Sequence, residues 1–522
     1  MNSSRLFSSL YNANLSIGRV QTPTLAMIVE RDYKVKNFVK EKYYVIELDC
    51  GNFVAFSEKI EDLETATKIT DDCKGKSAKV TELKKEKKTV NPPKLYDLTT
   101  LQREANRQFS FSAQQTLDAT QKLYEKKLVT YPRTDSQFIT DDMVSSTTAL
   151  VGDIYSKLGV SDYDVDVSKV ANNKKVTDHH AILPTSESLK ADLSALPENE
   201  QKILKLVTLK LLCAVAKPYI YEAVTAKIEC SGHDFTAKGK SVISTGWKQI
   251  ETQVKSALGM KVNNNDKNED DKSLTVTEGQ TFENPTCNTL EKWTSPPKHF
   301  TEDTLLSAME TAGNKDYELL EHGSDIEKKG IGTPATRASV IETLIRKGFI
   351  SREKKLILST DKGANLIKIA PESVKSAKLT AEWETVLQNI ERGKADADSF
   401  MADIESLTRS LVSENATASS EHASSFSHTP QNAQVIGKCP KCGGDVIETL
   451  KAFSCGGGKG DCKFILWKSQ FYKPNALSAT QAKKLLEKGK TDKIKGFVSK
   501  KTSKSYDAFL VLKSDFSVGL EF

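Results

Sequence analysis

The chain has 522 residues, 38% of them hydrophobic and 28% charged, a balance ordinary for globular proteins and enough chain for several domains. No apolar run approaches the roughly 18 residues needed to span a bilayer, and the first thirty residues carry no secretory signal, so a cytoplasmic protein without a membrane partner is expected. The net charge of +6 excludes little, but eleven lysines stand against three acids between Phe471 and Lys513, and Lys84, Lys85, Lys87 and Lys88 form a second run; both suit phosphate contact and a solvated face equally.

Along the chain, Thr22-Pro23 ahead of Leu25, Ala26, Ile28 and Val29 predicts a helix start. Residues 43–56 alternate in strand fashion, and 78–83 form another strand. From about Thr99 a helical region is expected, with Phe109, Leu117, Leu123, Tyr124 and Leu128 on one face, until a polar turn containing Pro132 interrupts it. Residues 223–247 return to short strands bounded by glycines, and 263–272 form a polar, acidic surface loop. After Pro296-Pro297 the chain turns helical. Thr333-Pro334 starts a helix with Val340, Ile341, Leu344 and Ile345 on one face and Gly348 in a left-handed cap, and a hairpin over 349–358 makes the unit winged-helix-like. Residues 413–434 are rich in Ser, Ala, Thr, Asn and His and read as a linker.

Nine cysteines divide into two kinds. Cys50, Cys73, Cys213, Cys230 and Cys287 are scattered and read as buried or incidental thiols. Cys439, Cys442, Cys455 and Cys462 form two short pairs, and four thiolates so spaced can close a tetrahedron around Zn2+, with Gly443, Gly444 and Gly456 to Gly458 permitting the ligand turns. A structural zinc ribbon is expected.

Two further clusters carry polar chemistry. In Thr130-Tyr-Pro-Arg-Thr-Asp-Ser136, the Tyr131 hydroxyl needs a neighbouring charge or base to act as a nucleophile, and Arg133 could hold a phosphate in its planar fork. In Asp178-His-His-Ala-Ile-Leu-Pro-Thr185, two imidazoles stand beside a carboxylate. On the residues alone, each reads as readily as a structural turn.

These two elements, together with Ser16-Ile-Gly-Arg-Val-Gln-Thr-Pro-Thr-Leu25 and Gly330-Ile-Gly-Thr-Pro-Ala-Thr-Arg-Ala338, resemble four motifs of type IA DNA topoisomerases, and they stand in that family's order. Leu95-Tyr-Asp-Leu-Thr-Thr-Leu-Gln102 and Leu379-Thr-Ala-Glu-Trp-Glu384 add to the resemblance, which covers most of residues 1–410 and looks most like bacterial topoisomerase III. It implies a multidomain α+β fold: a toroid core of helical domains plus a β-rich arch, then the zinc ribbon and a small C-terminal α+β repeat. The expected segments are 1–35 (helical groove segment), 36–90 and 217–297 (arch), 91–216 (tyrosine domain), 298–412 (winged-helix-like domain), 413–434 (linker), 435–470 (ribbon) and 471–522 (basic repeat).

The resemblance also implies roles. Tyr131 would attack a DNA phosphodiester and hold the broken end as a 5′-phosphotyrosine, Arg133 would bind the scissile phosphate, and His179, chosen over His180, would support it. Arg19, Gln21 and Arg337 would contact single-stranded DNA. Partners would be single-stranded and negatively supercoiled DNA. The family's Toprim domain, whose carboxylates bind Mg2+, would precede Met1, so the chain is expected to lack it and to draw on a separate Toprim-containing polypeptide. Asp162, Asp164 and Asp166 read as a surface loop and not as a substitute, and Asp396 and Asp398 read as part of a polar helix. The alternative is a catalytically impaired single-stranded DNA-binding protein.

Overall fold

The computed structural model describes residues 2–11, 13–161, 164–176, 178–261, 273–312, 330–415, 426, 435–448, 452–455, 462, 464–468, 477–498 and 505–522. The acidic loop over 263–272, Asp162, Gly456 to Gly458 and most of the expected linker lie outside them. Two compact units are present, Met1–His422 and Ala423–Phe522.

In the first unit, seven strands form one antiparallel sheet in the order Thr281–Phe282, Ala78–Val90, Tyr219–Cys230, His233–Ser244, Val54–Phe56, Lys42–Asp49, Thr286–Trp293. Its strands thus come from both sides of the intervening helical body. Alternate residues Ile46, Leu48, Val80, Val224, Ala226, Ile228 and Phe235 fill the core beneath the sheet. The two central strands have twelve residues each, longer than the glycine positions suggest. Of those glycines, Gly232 (φ +82°) forms the hairpin turn with Ser231 (φ +54°), where both central residues need positive φ. Gly239, by contrast, pairs with Val224 inside the ladder. The Lys84–Lys88 run continues the Ala78–Val90 strand along Tyr219–Cys230, with Lys85 3.7 Å from Glu222.

The helical region after Thr99 is two helices, Leu98–Phe109 and Ala113–Glu125, each opened by a capping box, from Asp97 and Ser112 respectively. Ser110 (φ +62°) breaks them apart. Leu117, Leu123 and Leu128 are buried as expected, but Tyr124 is 39% exposed and points elsewhere. Helices Val144–Leu158 and Glu198–Ala214 complete this body.

Packed against it are helices Glu302–Thr311 and Pro334–Arg346, and against these lie helix Gln21–Lys36 and a small sheet of Phe300–Thr301, Leu356–Ser359 and Ile350–Glu353. Thr333 caps and Pro334 opens the last of these helices as expected. The Gln21–Lys36 helix starts two residues before Pro23, which sits in the first turn where a missing N–H costs nothing. Asp396 is a cap and not a helix residue: its carboxylate accepts from Ser399 N at 2.7 Å.

The second unit joins a four-stranded antiparallel sheet over 435–467 to a three-stranded sheet over 494–521 and a helix, Ala479–Lys488. One core runs through both: Ile436, Val446, Phe453 and Leu466 pack with Leu485, Ile494, Phe497 and Leu510. The expected ribbon and basic repeat are therefore one folded body, not two.

Candidate active site and metal centre

The Tyr131 loop is built by pairing with the histidine segment. Thr130 N donates to Leu183 O (2.9 Å), Thr185 N to Leu128 O (3.1 Å), and the Thr130 hydroxyl both accepts from Leu183 N (2.9 Å) and donates to Ala181 O (3.1 Å). Past Pro132, the Thr134 hydroxyl donates to His179 O (2.9 Å) and accepts from Ser136 N (3.1 Å), and Ser136 Oγ donates to Lys175 O (2.8 Å). Helix Leu98–Phe109 anchors the same loop, since Leu98 N donates to Thr134 O at 3.1 Å. A turn that would otherwise be a flexible surface loop has its backbone groups satisfied on both sides of the tyrosine.

This stitching places Tyr131 and His179 in contact, ring centroids 4.3 Å apart and tilted by 43°, while Tyr124 packs edge-on to Tyr131 at 5.4 Å. Tyr131 is partly exposed and Arg133 is exposed; among the described residues Arg133 has no ion-pair partner. His180 points away. Its Nδ1 lies 2.8 Å from Ala181 O, an acceptor, so that nitrogen carries the proton. The arrangement offers a phenol, an imidazole and an uncommitted guanidinium on one accessible loop. Sequence reasoning missed Tyr124 and Thr134, because an aromatic in a helix reads as core and a threonine in a polar turn reads as solvated.

The remaining expected contacts fall in a neighbouring network. Arg19 Nη2 pairs with Glu384 Oε1 at 3.1 Å, and Arg19 O accepts from Thr380 Oγ1 at 3.1 Å. Gln21 is partly buried, and its Oε1 has no hydrogen-bond partner among the described residues. Arg337 departs from the expected groove contact: it is 5% exposed, with Nη1 donating to Thr99 Oγ1 (3.0 Å), Nε to Ile331 O (3.3 Å) and an ion pair to Glu310 (3.6 Å). Burial pushes the Arg337 guanidinium down, and the charges of Glu310, Asp97 and Glu384 oppose that shift. Its motif is glycine-rich for a packing reason, since a Cβ on Gly330 would lie 2.5 Å from Glu310 O and one on Gly332 3.2 Å from Val20.

In the second unit, Cys439, Cys442, Cys455 and Cys462 converge with all four sulfurs within 4.8 Å of one another. Cys439 and Cys462 are 3.7 Å apart and Cys442 and Cys455 3.4 Å, too long for disulfides. Sulfurs at the corners of a tetrahedron, each about 2.3 Å from zinc, would sit about 3.8 Å from one another. Gly443 N donating to Cys439 O (2.9 Å) and Cys439 N to Gly444 O (2.7 Å) shape the first ligand turn. The four residues fit a zinc ion. Burial pushes the Cys439 thiol up to about 12, a shift that a bound dication would reverse. Among the described residues this is the only group of three or more His, Cys, Asp or Glu whose ligand atoms converge. Cys73, Cys213 and Cys230 are free and buried, as expected.

A helical body carrying a tyrosine–histidine pair, beside an antiparallel sheet fed from both sides of it, is the plan of a type IA topoisomerase. The DNA topoisomerase family model matches residues 1–402, so the chain belongs to that family, and the model for the C-terminal repeat of topoisomerase matches 461–522. That second match begins inside the ribbon and takes in Cys462, in keeping with the shared core. The chain is similar to DNA topoisomerase 3 of Bacillus subtilis, at 36% identity over 470 residues, and to that of Bacillus licheniformis, at 35% over 468. Each comparison covers 85% of this chain and 61% of the relative, so the chain spans about three fifths of their length. The full-length topoisomerase I structure from Thermotoga maritima shares the fold, with a TM-score of 0.62 at 23% identity, covering 89% of this chain and 72% of that one. No helix among the described residues is long and apolar enough to cross a membrane.

Proposed function

We propose that this chain is the DNA-holding and strand-breaking portion of an ATP-independent topoisomerase. Tyr131 Oη attacks the phosphorus of a single-strand phosphodiester; the new O–P bond replaces the P–O3′ bond, the phenol's proton leaves, and the departing 3′ oxygen takes one up. Because the phosphoester is exchanged and not hydrolysed, the free 3′-hydroxyl can reverse the step after another strand has passed, and no nucleotide is consumed. Arg133 neutralises charge building on the equatorial oxygens, and His179 orients the phenol or the phosphate. Arg19 and Gln21 hold the strand, whereas Arg337 acts from within by positioning its neighbours. Magnesium would supply charge neutralisation in the family's reaction. Zinc at the four cysteines is structural, and the basic repeat adds DNA contact. The substrates in this reading are single-stranded and negatively supercoiled DNA, in the cytoplasm.

The observation that carries the reading is the 4.3 Å contact between the Tyr131 and His179 rings on a loop that also exposes Arg133. The test is covalent trapping with magnesium, run with the chain by itself and with an added polypeptide carrying the family's Toprim domain, the partner this reading includes. An oligonucleotide labelled at its 3′ end should become protein-linked, and one labelled at its 5′ end should not. Tyr131→Phe should abolish the adduct and keep binding. Strong binding with no adduct under either condition would leave a single-stranded DNA-binding protein instead.

A further inference from the structure

We infer that Glu384 is a positioning residue for DNA binding: it fixes one edge of the Arg19 guanidinium so that the opposite edge is presented to a DNA phosphate. The inference rests on the reading of Arg19 as a strand contact.

Arg19 stands just ahead of helix Gln21–Lys36, and helix Ala377–Glu391 holds it twice. Thr380 Oγ1 fixes the Arg19 carbonyl and Glu384 Oε1 fixes Nη2, each at 3.1 Å. Thr380 and Glu384 are four residues apart and so share a helix face, which makes one rigid element the post for both backbone and side chain. Their exposures set the direction. The Arg19 side chain is 39% exposed and the Glu384 side chain 19%, so the carboxylate lies beneath and the guanidinium faces outward. A guanidinium has five N–H donors in a planar fork, and Glu384 engages one edge only. The free edge matches a bidentate phosphate contact.

Glu384 is braced in turn. Its charge is felt by the buried Arg337, whose Nη1 donates to Thr99 (3.0 Å), and the neighbouring Leu98 N donates to Thr134 of the Tyr131 loop (3.1 Å). A carboxylate paired with an outward arginine and close enough to a buried one to oppose its shift stands in a fixed setting. Were Glu384 instead a stand-in for phosphate, to be displaced by DNA, removing it would tighten binding; the two roles predict opposite signs.

The experiment is a fluorescence-anisotropy titration of the full chain with a dye-labelled single-stranded oligonucleotide of mixed sequence, at several salt concentrations. Glu384→Ala should weaken binding about 3- to 10-fold, the scale of losing one pre-ordered long side chain. Arg19→Met should weaken it as well and lower the slope of log affinity on log salt by about 0.7, one single-strand phosphate contact. In the Arg19→Met background, Glu384→Ala should add nothing, and the thermal midpoints of the three variants should stay together, since a partly exposed ion pair adds little to stability. Tighter binding by Glu384→Ala, or equal weakening in both backgrounds, would overturn the positioning role. Failure of the unaltered protein to bind the oligonucleotide would instead defeat the strand-contact reading itself.

Discussion

Thr134 has no part in the bond-making step, yet the Tyr131 loop depends on it. At 3% exposure its hydroxyl bridges His179 O and Ser136 N, so it fixes the spacing between the tyrosine and histidine segments. Thr134→Val keeps the shape and removes both bonds, leaving the buried Ser136 N and the part-buried His179 O without them. A loss of about 1–3 kcal/mol in unfolding free energy is expected by denaturant titration, with adduct yield falling at temperatures where the fold remains intact. His179→Ala should lower the single-turnover cleavage rate at least 10-fold, on the order of one acid, base or orienting group, and His180→Ala should do much less because that ring is turned to Ala181 O. Equal effects from the two histidines would sink the assignment. At this scale the sequence was partly legible: family motifs singled out Tyr131 and His179, but their contact is made by bonds from Thr130 and Thr134, residues that pattern alone leaves as solvated turn. Arg337 shows the reverse. Its motif marks it as important, but only the packing of Thr99, Ile331 and Glu310 around it reveals a buried brace.

Helix Glu302–Thr311 presents three carboxylates inward, Glu302, Asp303 and Glu310, at 2%, 6% and 5% exposure. Asp303 receives Arg103 Nε at 2.9 Å and Arg107 Nε at 3.2 Å, residues one turn apart on helix Leu98–Phe109, so the body carrying Tyr131 meets its neighbour through a buried ionic seam. Burial pushes the Asp303 carboxyl up, but the hydrogen bonds and charges of Arg107 and Arg103 outweigh it and hold the group below its ordinary 3.8. Such a group stabilises the fold fully above that value, and its contribution disappears as pH falls through the depressed folded value. Glu302 has the opposite sign: burial, only partly offset by Ala113 N–H and Arg352, holds it above 4.5, so its contribution declines as pH rises through the raised value. Asp303→Asn should therefore cost about 3 kcal/mol at pH 7, measured by denaturant unfolding, and the gap from the unaltered protein should close below pH 4. A gap independent of pH would mean that the ion pairs are not its source. Elements were legible where one face is apolar, as in Lys42–Asp49 and Pro334–Arg346. They were obscured where the ladder runs out into solvent, as along Lys84–Lys88, or where the buried face is charged, as here.

At the scale of the whole molecule, two compact units imply two responses to metal. The sequence suggested a ribbon over 435–470 and, by resemblance, a repeat over 471–522; the packing joins the two segments in one core. Leu477 N donates to Lys468 O (2.9 Å), a Cβ on Gly437 would touch Leu486 (3.3 Å), and Cys439 itself belongs to the core that includes Leu485 and Leu510. Without metal, four thiols crowd that core with no charge to organise them, whereas zinc bound as thiolates contributes its binding free energy directly to folding. Hydrogen exchange read segment by segment separates the possibilities. After chelation, or in Cys439→Ser, strands Ile494–Val498 and Ser505–Leu512 should lose protection together with Val435–Lys438 and Asp445–Glu448, while Tyr219–Cys230 keeps its own. Because the thiols must shed protons to bind zinc as thiolates, the same loss should appear without chelator as pH is lowered. If chelation opened the ribbon strands but left Ser505–Leu512 protected, the repeat would fold independently and the shared core would not couple them. If Tyr219–Cys230 also opened, the two units would not respond separately, and the metal would be stabilising the tyrosine-bearing unit too.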